Sequence, residues 1–316
     1  MARTHHLNKV LIAAPVNKVL TDGLTAMGYE CVLQEEISQQ KAFRHIADCV
    51  GVITSTRLQL NKELLDAAPG LQWIGRMGSG MEVIDLDHAA AKGIVCYGSP
   101  EGNCNAVGEH AVGMLLALIR RITWSHTEIG AEIWRRDENR GFELEGKTIA
   151  IIGYGHAGMA FAKKLQGFDM RILVYDKKPI TDAPAYVEVC DLRTIYKEAD
   201  IVSIHVSLQP DTVNYFNDDF MAAMQKPFIL INTSRGAVVN TRTLYNGIKA
   251  GKVIGACLDV FEHEPITKAD KELRDTINEL IFLPLVIVTP HIAGYTHEAL
   301  YKMSKVLLEK IQAGDK

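Results

Sequence analysis

The chain has 316 residues, 47% of them apolar and 23% charged, with a formal net charge of −4; this is the composition of a soluble globular protein long enough for two domains. Charge is not gathered into runs of one sign, so nothing points to nucleic acid or an anionic membrane surface as partner, and no apolar run reaches the roughly 18 residues needed to span a bilayer. The six cysteines (Cys31, Cys49, Cys96, Cys104, Cys190, Cys257) are scattered without a CxxC spacing and read as reduced thiols in a cytoplasm, and the opening MARTHHLNKV leads into a strand-like segment with no signal-peptide pattern.

In chain order, residues 9–14 read as a buried strand, Val16 to Met27 as a helix and Tyr29 to Leu33 as a second strand. A helix over Gln39 to Ala47 precedes a strand at Val50 to Thr54, and the alternation continues through Lys62 to Ala67, Gln72 to Gly75, Asp87 to Lys92 and Ile94 to Cys96. Strands alternating with helices imply a parallel sheet, so the first hundred residues predict a small α/β domain. Gly98 to Asn103 is a candidate hinge loop. A helix over Ala106 to Arg120 follows, then a polar arm carrying Trp124 and Trp134, which suggests a dimer contact or a cover for the domain itself.

The stretch KTIAIIGYGHAGMAFAKKLQGFDMRILVYD, residues 147 to 176, organises the remainder. A β-branched run, Thr148 to Ile152, breaks at Gly153-Tyr154-Gly155-His156-Ala157-Gly158, helical spacing follows, and a second apolar strand ends on Asp176. Gly153 permits a tight turn, Gly155 admits a phosphate to the backbone, and Gly158 lets helix and strand pack closely. The helix N-terminus offers free N–H groups and the positive end of its dipole to a pyrophosphate. Asp176 stands where a carboxylate accepts the hydroxyls of an adenosine ribose, which favours NAD over NADP.

Beyond Asp176, strands are predicted at Ile201 to Val206, Phe228 to Asn232, Val253 to Asp259 and Val286 to Thr289. Helices are predicted near Asp191 to Lys197, Asp219 to Met224, Arg242 to Ala250 and, after Gly294, Glu298 to Ile311. Ligands in such sheets bind beyond the carboxyl ends of the strands, where Ser207, Thr233-Ser234-Arg235, Asp259 and His291 fall. Arg235 could grip a carboxylate with its guanidinium fork. Glu264 follows the next strand and His291 the last; a histidine beside a carboxylate keeps its proton to higher pH, which suits acid/base work near neutrality. Glu262 and Asp259 compete with Glu264 as the histidine's partner, and His205 and His263 compete with His291. No His/Cys/Asp/Glu set has metal-ligand spacing.

The chain resembles the D-2-hydroxyacid dehydrogenase family, and within it the D-3-phosphoglycerate dehydrogenase group. The resemblance runs from AAPGLQWIGRMGSGMEVID through VGEHAVGMLLALIRR, GKTIAIIGYGHAG, INTSRGAVVN and ACLDVFEHEP to TPHIAG. It implies a Rossmann NAD-binding domain, 102–291, inserted into a smaller flavodoxin-like α/β substrate domain, 1–101 and 292–316, with closure about hinges near 100 and 291. It implies that Arg235 binds the substrate carboxylate, that His291 is the acid/base with Glu264 orienting it, and that Asp259 holds the nicotinamide carboxamide. Gly153, Gly155, His156, Ala157, Gly158, Asp176, Ser207, Thr233, Ser234 and Gly294 would line the cofactor, and Ser79 and Gly80 would join Arg235 and His291 at the substrate.

The implied reaction is hydride transfer between NAD(H) and a small D-2-hydroxy acid, with 3-phosphoglycerate first and hydroxypyruvate or glyoxylate as alternatives. A homodimer through the 103–140 arm is implied, and a regulatory extension after residue 316 is not expected. Two departures bear on substrate. Residues 80–85 read GMEVID where the family has a GxDN pattern, and Thr54 stands near where the phosphoglycerate group tends to carry an arginine. Arg57, Arg76, Arg135 and Arg136 are then the candidates to receive a phosphate. An NAD(H)-sensing protein like the C-terminal-binding-protein corepressors carries much of the same motif set and is the non-enzymatic rival.

Overall fold

The computed structural model describes residues 8–314. The chain divides into two compact units, Met1–Asn103 with Tyr295–Lys316, and Cys104–Gly294; the expected boundaries lay at 101/102 and 291/292.

The first unit holds a five-stranded sheet of β1 (Lys9–Ile12), β2 (Glu30–Leu33), β3 (Cys49–Thr54), β4 (Trp73–Arg76) and β5 (Val95–Gly98), in the order β2-β1-β3-β4-β5. Every pairing is parallel, as the βα alternation requires. Leu11, Val52 and Ile74 face a core that includes Leu58, Leu60 and Leu64. The final helix, His297–Gly314, returns to this unit: Ser304 accepts a hydrogen bond from the Asn17 amide at 2.9 Å, and Lys310 bonds the Gly98 carbonyl and the Glu101 carboxylate, each at 2.8 Å. Gly102 is required by this return, since a Cβ there would lie 2.5 Å from the Met303 amide nitrogen.

The expected loop at 98–103 is not a loop. A 20-residue helix, Pro100–Ile119, begins inside it. Proline is suited to a first helical position because its missing N–H has no intrahelical partner to lose, and Glu101 adds a favourable charge in the first turn.

The second unit holds β6 (Thr148–Ile152), β7 (Arg171–Tyr175), β8 (Glu188–Val189), β9 (Ile201–Ile204), β10 (Phe228–Asn232), β11 (Val253–Leu258) and β12 (Val286–Val288) in the order β12-β11-β10-β9-β6-β7-β8. All pairings are again parallel. The order reverses beside β6, the switch point of a doubly wound sheet. Residues of one strand divide between two cores: Ala150 and Ile152 join one apolar cluster, Ile149 and Ile151 the other. Both faces are covered, which is why the strands read as unbroken apolar runs and not as alternating ones.

Three elements lie outside the sequence reading. Helix Lys271–Ile281 starts on Asp270, whose side chain accepts from the Leu273 amide; an acidic cap followed by Leu273, Ile277 and Leu280 is the signal that could have found it. The two-residue β8 is too short for any periodicity to announce it. The polar arm contains a helix, Ile122–Gly130. Its two tryptophans differ: Trp124 packs against a core with the Arg121 guanidinium 5.2 Å from its ring centroid, whereas Trp134 is 82% exposed.

Candidate active site

The switch point is built around β6. Gly153 takes φ +93°, a left-handed conformation that costs a residue with a Cβ, and a Cβ there would also lie 2.6 Å from the His205 carbonyl carbon. At Gly158 a Cβ would fall 2.1 Å from the Gly153 oxygen, so the helix His156–Lys164 can pack this closely only on a glycine. Gly155 has nothing within 4 Å of its Cβ position, and as N-cap it supplies no side-chain acceptor to the first turn. The first-turn N–H groups are left without a side-chain cap. This is the chemistry of an anion cradle, and it fits a dinucleotide pyrophosphate. His156 is exposed and Ala157 half-buried at the start of that helix.

Asp176 follows β7 directly. One carboxylate oxygen accepts from the Tyr154 amide at 2.8 Å and the other from the Lys178 amide at 2.9 Å. The group is thereby fixed beside the glycine turn, and each oxygen keeps a lone pair for a ribose hydroxyl. Ser207 lies exposed beyond β9, and its carbonyl accepts from Thr212 Oγ1 at 2.7 Å.

His205, at the same strand end, is a different kind of histidine. Its Nε2 bonds Ser203 Oγ at 2.8 Å, its ring stands 5.2 Å from that of Phe161, and its Nδ1 is shut off from solvent with no hydrogen-bond partner. Burial pushes its pKa down to about 4, so it is a neutral structural side chain at physiological pH.

The turn after β10 is framed by Asn232, fully buried. Its Oδ1 accepts from the Ser234 amide at 3.1 Å and the Ser234 hydroxyl at 2.8 Å, and its Nδ2 donates to the Arg235 carbonyl at 3.0 Å. Sequence reasoning did not single out Asn232; an asparagine ending a strand before Thr-Ser-Arg is the signal. Thr233 is buried with an unpartnered hydroxyl. Arg235 is half-buried and donates from Nη1 to the Ser234 carbonyl at 2.7 Å. A Cβ at Gly236 would stand 1.8 Å from the Phe261 carbonyl. The absence of that one carbon lets the Arg235 turn lie against the segment that carries Glu262 and Glu264.

The two acids there have separate work. Glu262 braces the start of the helix Thr241–Lys249, whose N-cap is Asn240, accepting from the Thr241 amide at 2.8 Å and its hydroxyl at 2.5 Å. Glu264 accepts from the Phe261 amide at 3.1 Å and meets His291 Nδ1 at 2.5 Å. His263 is exposed on the same segment. The structure therefore pairs His291 with Glu264, leaving Nε2 as the imidazole's outward nitrogen. Both side chains are over one-third exposed, at 39% and 36%.

Asp259, 1% exposed at the end of β11, is turned into the segment that presents His291. Its Oδ1 accepts from Thr289 Oγ1 at 2.5 Å and the Ile292 amide at 2.9 Å, and its Oδ2 from the Ala293 amide at 2.8 Å. Its carbonyl accepts from the His291 amide at 2.8 Å. Gly294 follows, half-buried. Arg235, Glu264, Asp259 and His291 thus converge at the carboxyl ends of β10, β11 and β12.

In the first unit, Ser79 is exposed and Gly80 buried in the turn after β4. Ser99 braces that turn: its hydroxyl accepts from the Gly78 amide at 2.9 Å and donates to the Arg76 carbonyl at 3.0 Å. Arg76 is buried with its guanidinium on the Met77 carbonyl. Thr54 is fully buried, and Arg57 is an exposed side chain 4.0 Å from Glu36. Arg135 and Arg136 are exposed on the arm.

Comparison with known proteins agrees with this geometry. Residues 112–293 match the NAD binding domain of the D-isomer specific 2-hydroxyacid dehydrogenases. D-3-phosphoglycerate dehydrogenase of Archaeoglobus fulgidus is 31% identical over 96% of this chain, which spans only 56% of that protein. Hydroxypyruvate reductase of Thermotoga maritima is 34% identical over 96% of this chain and 97% of its own length. The crystal structure of D-lactate dehydrogenase from Aquifex aeolicus, complexed with NAD and lactic acid, superposes with a TM-score of 0.84 at 27% identity, covering 98% of this chain and 95% of that one. The chain belongs to the D-isomer specific 2-hydroxyacid dehydrogenase family, and NAD is the cofactor its second unit is built to hold.

Proposed function

We propose that this protein reduces a small 2-keto acid to the D-2-hydroxy acid, or runs the reverse, with NAD(H). The pairing of His291 with Glu264, at the carboxyl ends of the same sheet that carries Arg235 and the phosphate turn, is the observation that carries this reading. NAD(H), when bound, supplies or accepts the hydride at the substrate's C2. Arg235 holds the substrate carboxylate through its guanidinium fork. His291 gives a proton to the keto oxygen from Nε2, or takes one from the hydroxyl, while Glu264 holds the ring at Nδ1. Asp176 seats the adenosine ribose, and Thr233 offers a buried hydroxyl to the cofactor.

The side chain beyond C2 is small and unphosphorylated in our reading, as in hydroxypyruvate or glyoxylate. Thr54, near where an arginine would serve a phosphate, is fully buried, and Arg57 lies beside Glu36. 3-Phosphohydroxypyruvate is the second reading, supported by a relative named for that chemistry and by buried Arg76 next to the Ser79–Gly80 turn. A homodimer is supported by the exposed Ile122, Ile129 and Trp134 of the arm, and a cytoplasmic setting by six free cysteines and by the lack, among the described residues, of any helix long and apolar enough to cross a membrane.

The test is NADH oxidation against 3-phosphohydroxypyruvate, hydroxypyruvate, glyoxylate, pyruvate and 2-ketoglutarate. Preference for hydroxypyruvate or glyoxylate is expected. Preference for the phosphorylated acid would reverse the substrate assignment, and no keto-acid-dependent oxidation at all would favour an NAD(H)-sensing role.

A further inference from the structure

His291 is presented on strained backbone. Its φ is +55°, a left-handed conformation that is unfavourable for a non-glycine residue. Such a conformation persists only when its surroundings hold it. Here the amides of Ile292 and Ala293 both end on the Asp259 carboxylate, one on each oxygen, and the His291 amide ends on the Asp259 carbonyl. The placement of the imidazole is therefore slaved to Asp259.

A carboxylate with 1% exposure needs its lone pairs filled. The third donor is Thr289 Oγ1, at 2.5 Å from Oδ1. A hydroxyl has one proton, and an ionised carboxylate cannot donate, so the Thr289 proton is committed to Asp259. Met114 Sδ, 3.8 Å from the same hydroxyl, is a far weaker acceptor. Behind Thr289 stands His110, on the helix Pro100–Ile119, with Nε2 2.9 Å from Thr289 Oγ1 and 3.7 Å from Asp259 Oδ1. With the hydroxyl proton already spent, this contact is a hydrogen bond only if His110 carries its proton on Nε2. The direction of the chain follows: His110 Nε2–H donates to Thr289, Thr289 donates to Asp259, and Asp259 accepts from the backbone on the far side of His291.

We propose that His110 and Thr289 are positioning residues for His291, acting through Asp259. The proposal rests on the reading of His291 as the acid/base of the preceding section. It differs from a general packing role because it depends on two donors, and a small misplacement of an acid/base group is costly to turnover.

Thr289→Val removes the hydroxyl at constant shape, and Thr289→Ser keeps it. His110→Phe removes the ring donor, and His110→Gln returns an N–H near the Nε2 position. Assayed with NADH and the best keto acid, Thr289→Val and His110→Phe should lose roughly 10- to 100-fold in kcat with the keto-acid KM unchanged. Thr289→Ser should keep wild-type kcat, and His110→Gln should recover part of the His110→Phe loss. Wild-type kcat in both Thr289→Val and His110→Phe would overturn the proposal, as would an equal loss in Thr289→Ser. Should Thr289→Val not fold by circular dichroism, the His110 pair reads the same link. Failure of the functional reading shows elsewhere, as keto-acid turnover that survives in His291→Ala. A measurement independent of turnover covers that case. In ¹⁵N-histidine spectra of the whole protein, the resonance lost in His110→Phe should be the Nε2–H tautomer, and finding Nδ1–H instead would overturn the assignment.

Discussion

The turn at 153–158 and the cluster at 232–293 both lie at the carboxyl ends of strands of one sheet, yet they are made in opposite ways. The turn is local: three glycines within six residues provide the left-handed φ, the open approach and the close helix contact. The cluster is assembled. Arg235, Glu264 and His291 come from three strand ends, and their placement depends on other residues: Asn232, Gly236 and Asp259. A site of the first kind is specified by what side chains are missing, a site of the second kind by what hydrogen bonds are complete.

That contrast is most sharply probed at His291. His291→Ala should lower kcat at least about 100-fold while NADH still binds, because it deletes the proton donor and leaves the cradle intact. Steady-state rates beside a fluorescence titration of NADH check it, and near-normal turnover would remove His291 from the mechanism.

The turn can be divided further by two alanines. Gly158→Ala places a carbon 2.1 Å from the Gly153 oxygen, so the helix must move, and a loss of about 1–3 kcal/mol in unfolding free energy is expected. Gly155→Ala meets nothing within 4 Å. It should leave thermal stability near wild type and weaken NADH, since its methyl occupies the face where a phosphate would sit. Equal melting temperatures for the two variants would contradict the packing argument.

His205 offers a pH test of the buried side of the sheet. Its folded pKa, about 4, lies below the ordinary histidine value of 6.5. Between those values the unfolded chain binds the proton and the folded one does not, so stability rises with pH through this window and falls as acid is added. The expected loss from pH 7 to pH 5 is about 2 kcal/mol by linkage, read by urea unfolding at the two pH values. His205→Gln should flatten that slope; an unchanged slope would assign it to other groups.

The smallest effect concerns cofactor choice. Asp176→Ala should relax the preference for NADH over NADPH by roughly tenfold, by removing a carboxylate from the place a 2′-phosphate would take. The ratio of kcat/KM for the two cofactors decides it.

Much of this molecule is legible without coordinates. The apolar runs of β6, β9, β10 and β11 are strands because both faces of each are buried, and burial writes itself into composition as runs dominated by apolar and small residues. The glycine turn and Asp176 are legible because their spacing is their function. The beginning of helix Pro100–Ile119 was hidden by Gly98, Pro100 and Gly102, residues that mark turns in general but here serve a helix start and a close approach to Met303.

What the sequence by itself determined is the doubly wound plan, the place of the dinucleotide turn and the short set of polar residues at strand ends. What only the tertiary structure decided is which of those residues meet. Glu262 braces a helix start, Glu264 takes the histidine, His205 is held neutral, and the Asp259 carboxylate accepts from the backbone that follows His291. The reason is physical: strand ends far apart in sequence become neighbours only through sheet order and register, and hydrogen-bond partners at 2.5–3 Å are chosen by that geometry and not by spacing along the chain.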